Sequence, residues 1–137
     1  MNPAELFRHD SDLIVLTPGQ ALFREGERGD EMYVLLEGQI DVMAGAKIVD
    51  TAQSGALLGE MALIDASPRS ASAIARTDCK LANINLRRFH FLVQQNPFFA
   101  THVMQVLAQR LRKMNAIVAD VPPAIAHSNP SSPRTSV

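Results

Sequence analysis

The chain of 137 residues, 47% hydrophobic and 20% charged, has the length and composition of one globular domain with a core of its own. Thirteen Lys and Arg against fourteen Asp and Glu leave a net charge of -1, so there is no basic excess to neutralise a row of phosphates, and direct DNA binding is not expected. The longest apolar run, Met32 to Leu36, is far short of the ~20 residues of a membrane span; the N-terminus lacks a signal-peptide pattern; and a lone Cys79 forms no internal disulfide, so a cytoplasmic protein is expected.

Asn2–Phe7 is a candidate N-terminal helix. Short alternating or apolar runs then follow at Asp12–Leu16, Ala21–Phe23, Met32–Leu36, Ile40–Met43, Ile48–Ala52, Ser70–Ala75 and Lys80–Ile84, with turn residues such as Pro18-Gly19, Gly29-Asp30, Glu37-Gly38 and Ala44-Gly45 between them. This is the rhythm of antiparallel strands in a jelly roll, so the predicted fold is mainly β with flanking α: a double-stranded β-helix followed by C-terminal helices. After Asn85 the period becomes helical, through Leu86, Phe89, Leu92 and Val93, and Pro97 opens a second, longer helix. Its apolar stripe runs Val103, Leu107, Leu111, Met114, Val118, which predicts one packed face and allows a weak homodimer seam. Residues 1–119 are thus read as one domain, and 120–137, with four of the eight prolines, as a Pro/Ser-rich disordered tail.

The segment from Gly55 to Ser72 breaks the strand rhythm. Gly59 allows close backbone approach, and Glu60 to Ile64 form a helical turn whose free N–H groups suit an anion. Arg69 follows nine residues after Glu60 and leads a strand of small residues, Ser70-Ala71-Ser72-Ala73, which leaves room for a ligand. A guanidinium beside a helix start suits phosphate, whereas a carboxylate there suits a neighbouring hydroxyl, and a phosphate joined to a sugar satisfies both. Taken one at a time, these glycines shape turns, Glu60 starts a helix and Arg69 decorates a strand; their joint spacing is what points to a pocket. His9, His90, His102 and His127 have no metal-ligand spacing and Cys79 has no adjacent His, so neither a metal site nor catalytic residues are expected.

With Gly59-Glu60-Met61-Ala62-Leu63 and Pro68-Arg69-Ser70-Ala71-Ser72, the segment resembles the phosphate-binding cassette of the cyclic-nucleotide-binding domain family. Pro18-Gly19, Phe23, Glu25-Gly26, Gly29-Asp30, Tyr33 and Glu37-Gly38 resemble that family's framework of turns and strands. The resemblance implies a non-catalytic sensor with no cofactor, binding cAMP in preference to cGMP. It also implies that Arg69 pairs with the cyclic phosphate, helped by the backbone of Ala62 and Ser70, and that Glu60 accepts from the ribose 2′-OH beside Gly59. Met61 is counted with the ligand-binding residues, Leu58 and Ser72 would flank the base, and Arg110 on the last helix would suit the lid contact. Signalling would run through movement of the C-terminal helices to an effector protein or fused module. The alternative on the same fold is a nucleotide-free interaction protein.

Overall fold

The computed structural model describes residues 2–119, with side chains through residue 116; the predicted tail and Val118 of the apolar stripe lie outside the described side chains. A short 3-10 turn, Pro3–Phe7, opens the chain, and the side chain of Asn2 caps it by accepting the N–H of Ala4 at 3.0 Å. Eight strands follow: β1 Ile14–Leu16, β2 Ala21–Phe23, β3 Met32–Glu37, β4 Ile40–Ala44, β5 Lys47–Ala52, β6 Leu57–Leu58, β7 Ser72–Ala75 and β8 Cys79–Ile84. Helix α1, Glu60–Asp65, interrupts them, and α2, Leu86–Gln95, and α3, Pro97–Ala119, come after.

The strands form two four-stranded antiparallel sheets, ordered β1-β8-β3-β6 and β2-β7-β4-β5, the pairing of a jelly roll. Leu35, Ile40, Leu58, Ala73, Ala75 and Leu81 fill the space between them, with Phe23 and Tyr33 packed against this core. On β3 the alternate residues Met32 and Val34 are fully buried as well, because the N-terminal turn and α1 pack across the other face of that strand. Strand β6, absent from the expected set, has two residues and pairs Leu58 with Tyr33 and Leu57 with Val34.

The chain divides into two compact units at Val103. The first contains both sheets, α1, α2 and the start of α3. There Phe99 is fully buried, with its ring 6.3 Å from that of Phe7 and 5.9 Å from that of Phe89. Arg88 of α2 pairs with Asp10 at 2.6 Å and donates to the carbonyl of Asn83 at 3.0 Å, which ties the N-terminal segment to the helix that follows the barrel. From Met104 onward α3 is the second unit. Of the predicted stripe, Val103 is buried in the first unit, whereas Leu111 and Met114 are exposed.

Candidate functional site

The site is built where the two sheets and one loop converge. Phe23 ends β2 in one sheet and Tyr33 lies on β3 in the other; their ring centroids are 6.1 Å apart. Residues 24–31 connect the two strands, and this loop is fastened to Arg69 by its backbone. The N–H of Arg69 donates to the carbonyl of Glu27 at 2.9 Å, and the N–H of Gly26 donates to the carbonyl of Arg69 at 2.8 Å. The loop is closed internally by the Glu27 carboxylate accepting from the N–H of Arg24. Its far end is held by Asn83 donating to Glu31 at 3.0 Å. These bonds fix where the Arg69 side chain leaves the main chain.

Arg69 is only 6% exposed. Its Nη1 donates to the carbonyl of Gly59 at 3.2 Å, its Cζ lies 4.4 Å from the centre of the Phe23 ring and 5.7 Å from that of Tyr33. Among the described residues no carboxylate lies within 4.0 Å of the guanidinium. A buried cation without an ionic partner is costly, by several kcal/mol after relaxation, and ring faces offset about 2 kcal/mol of that. Arg69 lines a cavity of about 300 Å³ whose other walls are Leu22, Phe23, Tyr33 and residues 27–31. Burial pushes the Tyr33 phenol above its usual value; Arg69 acts in the opposite sense, while Glu31 and Asp30 add to the rise.

Gly59 caps α1 with φ of +74°, a left-handed conformation natural to glycine, and a Cβ there would overlap Nη1 of Arg69. Glu60, the first residue of α1, is fully buried, as is most of Ala62, whereas Met61 is exposed. Leu58 sits in the barrel core opposite Tyr33. Ser70 is exposed beside Arg69, and the Ser72 hydroxyl accepts the N–H of Glu25 at 2.9 Å, joining β7 to the end of β2. Arg110 lies on the part of α3 that forms the second unit. Of the residues expected at the site, the structure thus brings Gly59 and Arg69 into contact, places Glu60 next to Gly59 in the chain, and sets Arg69 alone on the cavity wall.

Sequence reasoning assigned Gly29-Asp30 to a turn and Phe23 and Tyr33 to the framework, yet all four line the cavity. The available signal was their place in or beside the connection between β2 and β3, a loop of four acids and two arginines, which the strand rhythm alone reads as a hairpin turn. Among the described residues there is no group of three His, Cys, Asp or Glu side chains able to hold a metal, and no helix is long and apolar enough to cross a membrane.

The model of the cyclic nucleotide-binding domain matches residues 13–96. The CRP-like cAMP-activated global transcriptional regulator of Mycobacterium tuberculosis is 26% identical over 110 residues, 75% of this chain and 48% of that protein, so the chain spans about half the length of this relative. The catabolite activator protein of Thermus thermophilus superposes with a TM-score of 0.71 at 26% identity, over 79% of this chain and 53% of that one. A chain solved in work on a cyclic-GMP-dependent signalling pathway of bacterial phytopathogenesis gives a TM-score of 0.69 at 28% identity, over 82% of this chain and 95% of that one. The jelly roll, the capped turn at Gly59-Glu60 and the match across both sheets make this chain a member of the cyclic nucleotide-binding domain family.

Proposed function

We propose that the chain is a non-catalytic sensor that binds a cyclic purine mononucleotide, cAMP in preference to cGMP, and reports it through its C-terminal helices to an effector protein or a fused module. The observation that carries this reading is Arg69, buried, lining a cavity and without a carboxylate within 4.0 Å of its guanidinium among the described residues. Such a group is stabilised by an anion that enters beside it. The cavity volume is at the lower end of the ~300–1,000 Å³ usual for small-molecule sites, which suits a mononucleotide rather than a dinucleotide.

The charge around the cavity supports a single negative charge on the ligand. Glu27, Asp30 and Glu31 stand against Arg28 and Arg69, three carboxylates to two guanidinium groups, so a cyclic phosphodiester is favoured over the polyanionic ATP or 5′-AMP. In this reading Arg69 holds the phosphate with the backbone of Ala62 and Ser70. Glu60 accepts from the ribose 2′-OH beside Gly59, Met61 completes that turn, and Leu58 and Ser72 lie toward the base. Arg110 is the residue of α3 assigned to the lid.

Isothermal titration with cAMP, cGMP, 5′-AMP and ATP tests the proposal. Saturable binding in the order cAMP, cGMP, then the two open-chain phosphates is expected. No heat and no thermal shift at millimolar cAMP and cGMP would leave the nucleotide-free interaction protein as the better description.

A further inference from the structure

Arg69 is held by an unusual set of neighbours. The Phe23 ring lies under Cζ at 4.4 Å, the Tyr33 ring stands 5.7 Å away, and the carbonyl of Gly59 takes one N–H at 3.2 Å. Gly29 closes the remaining side: a Cβ built there would overlap Nη2 and come within 2.8 Å of both Cζ and Nε. Gly29 does not have the positive φ that six other glycines of the chain show, so its backbone does not call for glycine, and the three atoms nearest to an added Cβ all belong to the guanidinium. The space above this residue is therefore kept for a side chain, not for a turn.

We infer that Phe23, Tyr33 and Gly29 are the positioning residues of Arg69: the two rings stand against its guanidinium, Gly29 leaves the clearance it occupies, and the N–H donors not taken by the Gly59 carbonyl stay available to an anion in the cavity. A ring face attracts a cation without using any of its N–H groups, whereas a carboxylate would consume two of them and oppose the incoming phosphate. An aromatic ring face thus offsets the burial of the arginine without taking up the N–H groups that the Gly59 carbonyl leaves over. The inference concerns how Arg69 is placed; its consequence for affinity rests on the nucleotide-binding reading above.

Two measurements on the described protein separate these claims. In ¹H–¹⁵N spectra without ligand, the Arg69 Nε–H resonance, assigned by its loss in Arg69→Met, is expected upfield of exposed arginines and slow to exchange. In Phe23→Leu and in Gly29→Ala it moves toward the solvent position, while Phe23→Tyr leaves it in place. A resonance that is unshifted in the wild type, or unmoved by both Phe23→Leu and Gly29→Ala, overturns the inference, whether or not any nucleotide binds. In titrations with cAMP, Phe23→Leu and Gly29→Ala should each weaken binding by about 5- to 30-fold with the circular dichroism spectrum retained. Wild-type affinity in both variants also overturns the inference. Absence of cAMP and cGMP binding by the wild type overturns the sensor reading alone, and the spectra still decide how Arg69 is held.

Discussion

Replacing Arg69 by methionine separates a ligand-holding arginine from a structural one, because the two make opposite predictions for stability and binding. Methionine keeps an unbranched apolar stem in a site that is 6% exposed and removes only the charge and its donors. For binding, truncating one partner of a desolvated charge pair costs ~2–5 kcal/mol, which corresponds to a loss of about 30-fold to several thousand-fold in cAMP affinity. For folding, the variant gives up the contacts with the Phe23 and Tyr33 rings, about 2 kcal/mol together, and one hydrogen bond to Gly59, ~1 kcal/mol. It regains the several kcal/mol that burying an unpaired guanidinium costs. The unfolding free energy should therefore change by no more than about 1 kcal/mol or rise. Titration calorimetry and urea unfolding on the same preparation read both quantities. If the variant binds cAMP within about twofold of the wild type, or loses about 3–5 kcal/mol of stability as a broken buried ion pair does, the reasoning fails.

Glu60→Gln should weaken cAMP by about 10- to 100-fold, and 2′-deoxy-cAMP should lose affinity for the wild type by a similar factor but bind the variant no worse than cAMP does; equal wild-type affinities for the two ligands remove Glu60 from the sugar. Gly59→Ala places a side chain at φ of +74° and against Nη1 of Arg69, so it should cost about 1–2 kcal/mol in urea unfolding and weaken nucleotide binding as well. Tyr33 has its pKa raised in the fold, first by burial, so its neutral form is the one the folded state favours. That contribution is fully present below pH 10, the ordinary value, and is lost as the pH rises through the folded one; Tyr33→Phe should flatten the stability decline above pH 10, and an unchanged slope would contradict it.

The strands were legible because each carries an apolar run bounded by turn residues, and β2 begins and ends where the sequence places it, at Ala21 and Phe23. Strand β6 was not: Leu57-Leu58 is too short to show a period and lies within the stretch that breaks the rhythm. The capped turn at Gly59-Glu60 could be read from residue type, since glycine before an acidic helix start has few local alternatives. The walls of the cavity could not, because Phe23, Tyr33 and Arg69 meet only when two sheets pack, and no local period records that a ring on β2 and a ring on β3 will support one guanidinium. The distal stripe of α3 shows the converse: helical spacing predicts a face, but what covers Leu111 and Met114 is not written in that spacing.

The most direct measurement is a crystal structure of the protein grown with cAMP. The account predicts the exocyclic phosphate oxygens within about 3 Å of the Arg69 guanidinium and the ribose 2′-OH within reach of the Glu60 carboxylate, in the cavity walled by Phe23 and Tyr33. A nucleotide bound elsewhere on the chain, or one in that cavity whose phosphate turns away from Arg69, would contradict it.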